Sequence, residues 1–145
     1  DAEQRLQQAW HLMAAGPENK FRASVHKYLP KTLYHVKMNN GYVSGIPDDW
    51  YSGNRADLWV EYKFITRVPS RVDVKPLELL SALQADWLNE RYVEGRPVAM
   101  VIGCSDGGVI LRDQEWNWDY SPVMFRDRLV PRQAIAQWIV GATTR

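Results

Sequence analysis

Asp48, Glu61 and Lys63 stand at a spacing that can do chemistry, with twelve residues between the first and the second. Residues 57–65 (DLWVEYKFI) read as a β-strand. Leu58, Val60, Tyr62 and Phe64 then lie on one face and Trp59, Glu61, Lys63 and Ile65 on the other. An acid and a base thus project together from a strand that is otherwise apolar. Burying either is costly unless it is paired or bound to a metal. A cross-strand ion pair or a solvent-facing edge is the ordinary explanation of such a pair. The segment Gly45-Ile46-Pro47-Asp48 alters that balance, because a hairpin closing at Ser52-Gly53-Asn54 brings the Asp48 carboxylate beside Glu61. Two converging carboxylates form a hard-oxygen site suited to Mg²⁺ or Mn²⁺. A neighbouring lysine can polarise a phosphate or orient water. This is the equipment of phosphodiester hydrolysis.

Other polar residues compete for a place in that site. Asp49 points to the strand face opposite Asp48, and Asp57 opens a strand as turn residues do, so both rank below Asp48. Gln84 has two readings. Ser81-Ala82-Leu83-Gln84 is a capping-box pattern, in which Gln84 reaches back to the Ser81 backbone. On a helical wheel Gln84 also falls within the arc of Leu77, Leu80, Leu83, Trp87 and Leu88 that faces the sheet, where a polar group needs a partner. His35 and Lys37 share one face of the first strand, either flanking the site against phosphate or serving as a core histidine and a solvated edge. Trp50, Trp59 and Trp87 read as core, whereas Trp116 and Trp118, in a polar loop, are candidates for a DNA or subunit contact.

These residues need elements to hold them. Residues 3–15 read as a short helix ending at Gly16, and a second helix covers about 17–29, opened by Pro17 and stopped before Pro30. A strand over 32–38, a turn at Asn39-Asn40-Gly41 and a strand over about 42–51 precede the strand at 57–65. A loop at 66–75 leads to a helix over roughly 77–94 that ends at Gly95. Residues 98–104 (VAMVIGC) form a continuously apolar, central strand. A short strand at 109–112, a loop at 113–122 and a helix at about 131–140 follow. The order predicts an α/β (α+β) single domain over 1–145, with a mixed sheet of four to five strands: an antiparallel meander, then a crossover helix to a further strand.

Composition narrows the classes. The 145 residues suit one domain with a real core, and 46% hydrophobic with 24% charged residues is ordinary for a globular protein. Neither a membrane-spanning stretch nor a signal-peptide layout is present, and Cys104 is the single cysteine. That excludes an internal disulfide and a multi-cysteine zinc site, and leads us to expect a cytoplasmic, intracellular protein. Net charge is +1, yet residues 20–37 hold Lys20, Arg22, Lys27, Lys31 and Lys37 with no acid, leaving 13 basic against 17 acidic side chains elsewhere. This short cationic segment, with His35 inside it, is a candidate phosphate-binding face.

The ordered set Pro47-Asp48, Glu61-Tyr62-Lys63, Gln84 and the apolar strand 98–103 resembles the PD-(D/E)XK nuclease superfamily over about residues 18–112. It is most similar to the branch of VRR-NUC domains, Holliday-junction resolvase-like enzymes and phage-encoded nucleases. The resemblance implies a restriction-endonuclease-like core of order α-β-β-β-α-β, with the N-terminal helix and residues 113–145 as elaborations. It implies Asp48, Glu61 and the Tyr62 backbone carbonyl as metal ligands, Lys63 as the catalytic lysine, Glu18 on the first core helix as an added acid, and Gln84 beside the active site. The expected activity is a metal-dependent DNA endonuclease of phage or mobile-element type, acting on branched or double-stranded DNA as a homodimer or higher homo-oligomer. A 5′-phosphate and a 3′-hydroxyl would be its products. A sequence-specific homing or restriction-like enzyme of the same fold and a non-catalytic nucleic-acid-binding module are the alternatives.

Overall fold

Val98–Cys104 is the strand around which the other elements are arranged, and every residue in it is buried. The structure, a computed structural model, describes residues 1–3, 16–38 and 45–145. The turn expected at Asn39-Asn40-Gly41 and almost all of the helix expected over 3–15 lie outside the described residues. Among the described residues five strands form one sheet in the order β1 (Tyr34–Lys37), β2 (Asp49–Ser52), β3 (Asp57–Phe64), β4 (Val98–Cys104), β5 (Gly107–Leu111). Only β3 and β4 run parallel. A parallel pair needs a long crossover, and residues 65–97 supply it. This is the mixed sheet expected from the element order.

Register sorts the side chains onto two faces. Val60 lies opposite Asp49 and Ala99, so Leu58, Val60 and Tyr62 share a face with Tyr51 and Val101. Helices α1 (Pro17–His26) and α5 (Arg132–Thr143) cover it, burying Phe21, Val25, Ile135, Ala136 and Ile139. The second face carries Glu61, Met100, Ile102, Val109 and Leu111. It packs on Leu88 of α3 (Ala82–Val93), on Trp116 in the 3₁₀ turn Glu115–Asn117, and on Phe125 of α4 (Pro122–Asp127). The segment beyond residue 112 therefore builds both cores. Trp116 has no exposure, which corrects its placement as a DNA or subunit contact; Trp118 is exposed.

The helix expected over 77–94 is two elements. A single turn, α2 (Pro76–Leu79), ends where Leu80 turns extended, and Ser81 caps α3. Ser81 Oγ accepts from the Gln84 amide, and Gln84 Oε1 accepts from the Ser81 amide. The reciprocal cap holds the chain out of helix at this point. The continuous wheel fails with it: Leu77 and Leu83 are 45% and 57% exposed. At the far side of the sheet, Gly103 lets α1 lie close. A Cβ there would come 2.5 Å from the Phe21 ring, so the missing side chain is what seats Phe21.

Candidate active site

Pro47 is buried and Asp48 enters β2 half-buried. Gly45 makes this path possible. Its φ is +91°, and a Cβ there would meet the Leu83 carbonyl oxygen at 2.9 Å, so the strand approach passes close over the first turn of α3. Asp48 Oδ2 then accepts from the Tyr62 backbone N–H at 2.8 Å. That contact fixes the aspartate against the middle of β3 and turns the Tyr62 backbone toward it.

Glu61 is 1% exposed on the second sheet face. The Gln84 side-chain Nε2 donates to its Oε1 at 3.0 Å, and Lys63 Nζ lies 3.7 Å from the same oxygen. Gln84 therefore fills both roles open to it: one end of the amide closes the helix cap and the other holds Glu61. Glu18 reaches the same place from the first turn of α1, where the helix N-terminus favours a carboxylate. Ligand-capable oxygens of Glu18, Asp48 and Glu61 all lie within 4.8 Å of one another.

Three acids so close repel one another unless protons or a cation intervene. Burial and then the Asp48 charge push the Glu61 carboxyl up to about 9, and the same two causes raise Glu18. Glu61 Oε2 is buried with no hydrogen-bond partner among the described residues. A buried carboxylate with one unpartnered oxygen, grouped with two further acids, fits a hard divalent cation bound through oxygen. Glu18, Asp48 and Glu61 are the residues that could hold it.

Asp49 behaves as the alternation of strand faces requires. It turns to the opposite face, has no exposure, and is held through both oxygens by Nε and Nη2 of Arg22. Arg22 lies one turn after Glu18 on α1 and is thereby removed from the cationic face; Lys20, Lys27, Lys31 and Lys37 remain exposed. Lys37 Nζ donates to Asn19 Oδ1 at 3.1 Å, beside Glu18 on α1. His35 is not drawn toward Glu61. It stays exposed on the α1 side, its ring 4.6 Å from that of His26. His26, His35 and Asp49 form a second close group, but Arg22 already saturates Asp49 and His26 Nε2 bonds the Tyr51 hydroxyl at 2.6 Å. Burial, then Arg22 and His35, push His26 down to about 3. Neither the Arg22–Asp49 pair nor the chain His26–Tyr51–Tyr62 has a signature in residue spacing, since each joins elements distant in sequence.

No protein-family model and no curated protein sequence matches the chain. It is similar to the solved structure of Hjc, a Holliday junction resolvase from the archaeal hyperthermophile Archaeoglobus fulgidus. The TM-score is 0.52 at 15% identity, over 84% of this chain and 97% of that one. At this identity the shared property is the path of the chain. That path is the one the PD…ExK residues imply, and the protein has the fold of this Holliday junction resolvase.

Proposed function

We propose that this protein is a metal-dependent endonuclease that hydrolyses phosphodiester bonds in branched or double-stranded DNA. The observation that carries the reading is the convergence of Glu18, Asp48 and Glu61 within 4.8 Å, with Lys63 3.7 Å from Glu61. The likeness to a Holliday junction resolvase supports it and favours branched DNA over the sequence-specific alternatives. Mg²⁺ or Mn²⁺, when bound, supplies an activated water and offsets charge gathering on the phosphate.

The chain's own groups prepare that event. Asp48 and Glu61 are the principal cation ligands, with Glu18 and the Tyr62 carbonyl completing the oxygen set. Gln84 occupies Glu61 Oε1, leaving Oε2 without a hydrogen-bond partner among the described residues and free for a cation. Lys63 places a fixed cation where the phosphate oxygens arrive, a position where a preorganised charge is worth far more than in water. The exposed lysines of residues 20–37 hold the flanking backbone, and a homodimer with C2 symmetry suits a cut in two strands.

The test is a cleavage panel of supercoiled plasmid, linear duplex, flap and four-way junction, with Mg²⁺ and with EDTA. Wild type cleaves only with the metal, and the junction or flap best. Asp48→Ala and Lys63→Ala each lose at least about 100-fold in rate, on the scale of a lost preorganised charge, while keeping the wild-type circular dichroism. Wild-type rates in either variant would sink the assignment.

A further inference from the structure

The crease between β3 and α3 continues past the acidic centre. Glu61 meets Gln84 across it. Two residues back on the same strand face, about 7 Å along at 3.3 Å per residue, stands Trp59. Three residues on along α3, one helical turn from Gln84, stands Trp87. The two indoles touch across the crease with centroids 5.5 Å apart at 61°. One turn further, Arg91 lies over the Trp87 ring at 5.6 Å, and Arg96 follows after the helix. Trp59, Trp87, Arg91 and Arg96 together line a concavity of about 360 Å³, and both indoles are only half-buried. Glu94 pairs with both arginines, at 3.0 and 3.3 Å, setting the two guanidinium groups side by side, and Glu90 lies 3.7 Å from Arg91.

From one end to the other the crease therefore offers carboxylates with a lysine, then a half-buried aromatic pair in which Trp59 also stacks on Trp50, with centroids 5.9 Å apart at 23°, then two guanidinium groups. A nucleic-acid strand presents the same order: a reacting phosphate, a neighbouring base, the next phosphate. Both tryptophans pack against the second core, yet each keeps part of its surface on the concavity that they line with Arg91 and Arg96.

We infer that the Trp59–Trp87 crease is a stacking site for an unpaired nucleobase flanking the scissile phosphate, with Arg91 and Arg96 toward the next phosphate. The inference rests on the nuclease reading for its choice of partner. It makes the protein a reader of unpaired bases, which a flap or an open junction displays and an intact duplex hides.

Binding measured without cleavage tests it. A 5′-fluorescent (dT)₁₂ and an abasic backbone of equal length are titrated in EDTA and followed by anisotropy. Wild type binds (dT)₁₂ about tenfold tighter than the abasic chain, the range of one stacked base. Trp87→Leu brings the two within about twofold of each other and leaves abasic affinity unchanged, with folding checked by thermal melting. Arg96→Ala, an exposed change, weakens both ligands alike by about twofold to fivefold, as loss of an exposed ionic contact does. Equal binding of the two ligands by wild type overturns the inference without any variant, and so does a folded Trp87→Leu protein that keeps the preference. A wild type without base preference but with metal-dependent cleavage removes this site and spares the nuclease reading. Absence of cleavage with the preference intact does the reverse.

Discussion

Glu61 is a carboxyl whose Oε1 is held by Gln84, whose Oε2 is buried without a hydrogen-bond partner among the described residues, and which lies within 4.8 Å of two further acids. Burial and Asp48 lift it from an ordinary 4.5 to about 9. An unfolded chain loses this proton near 4.5, whereas the folded one keeps it to about 9. Folding then grows less favourable as pH rises between those values. Grouping these acids thus costs the cation-free fold stability as pH rises, a trade common at functional centres. Glu61→Gln keeps the shape and the contact with Gln84 while removing the ionisation. Its melting temperature at pH 8, measured in EDTA, is expected to exceed that of wild type, with the gap narrowing toward pH 5. The same variant is expected to be inactive with Mg²⁺. A lower melting temperature at pH 8 would contradict the strained-carboxyl account.

Helix α1 is the element that completes the acidic cluster, and two contacts seat it. Phe21 lies on the bare backbone of Gly103, and Arg22 grips Asp49 on β2. Glu18 precedes both on the same helix, so its reach to Asp48 depends on them. Adjacent aspartates thus have separate duties. Removing the partner of a buried charge typically costs about 3–5 kcal/mol. Arg22→Ala is therefore expected to lower unfolding free energy by that order in urea titrations, since it strands Asp49 without its counterion. Asp48→Ala removes one of three repelling acids and is expected to leave stability near wild type or above it. Equal destabilisation by the two would mean that α1 is not held in this way. Helix α3 is the counterpart of α1 across the sheet. Its start is set by Ser81, and the same Gln84 that closes the cap delivers the amide to Glu61.

The whole molecule carries a net charge of +1, with exposed Lys20, Lys27, Lys31 and Lys37 grouped on α1, the turn after it, and β1. At 1.5 Å per residue α1 carries Lys20 close to Glu18 and sets Lys27, at its C-terminal cap, about 10 Å further along. Each lysine that meets a phosphate of a duplex contributes roughly 0.9 to the slope of log affinity against log salt. Replacing Lys27, Lys31 and Lys37 with Gln is expected to weaken DNA binding at low salt and to flatten that slope by about 1–3, with binding followed by anisotropy from 50 to 200 mM salt. An unchanged slope would make the segment a solvated face. Among the described residues no helix is long and apolar enough to cross a membrane.

Much of this was legible in residue order. The strand alternation of 57–64, the wholly apolar run 98–104 and the turn residues around them specify local conformation, and local conformation specifies which side chains share a face. Asp48, Glu61 and Lys63 could be grouped for that reason, and the Ser81–Gln84 cap was readable from spacing. Tertiary structure decided what spacing cannot express. It buried Trp116, since a polar loop can fold an indole inward when Asn89 Oδ1 accepts its N–H. It took Arg22 out of the cationic segment and gave it to Asp49, and it set Trp59 against Trp87 beside the acids. Each of these joins residues far apart in the chain. Their meeting is determined by how sheet and helices pack, a property of the folded whole that no short stretch of residues contains.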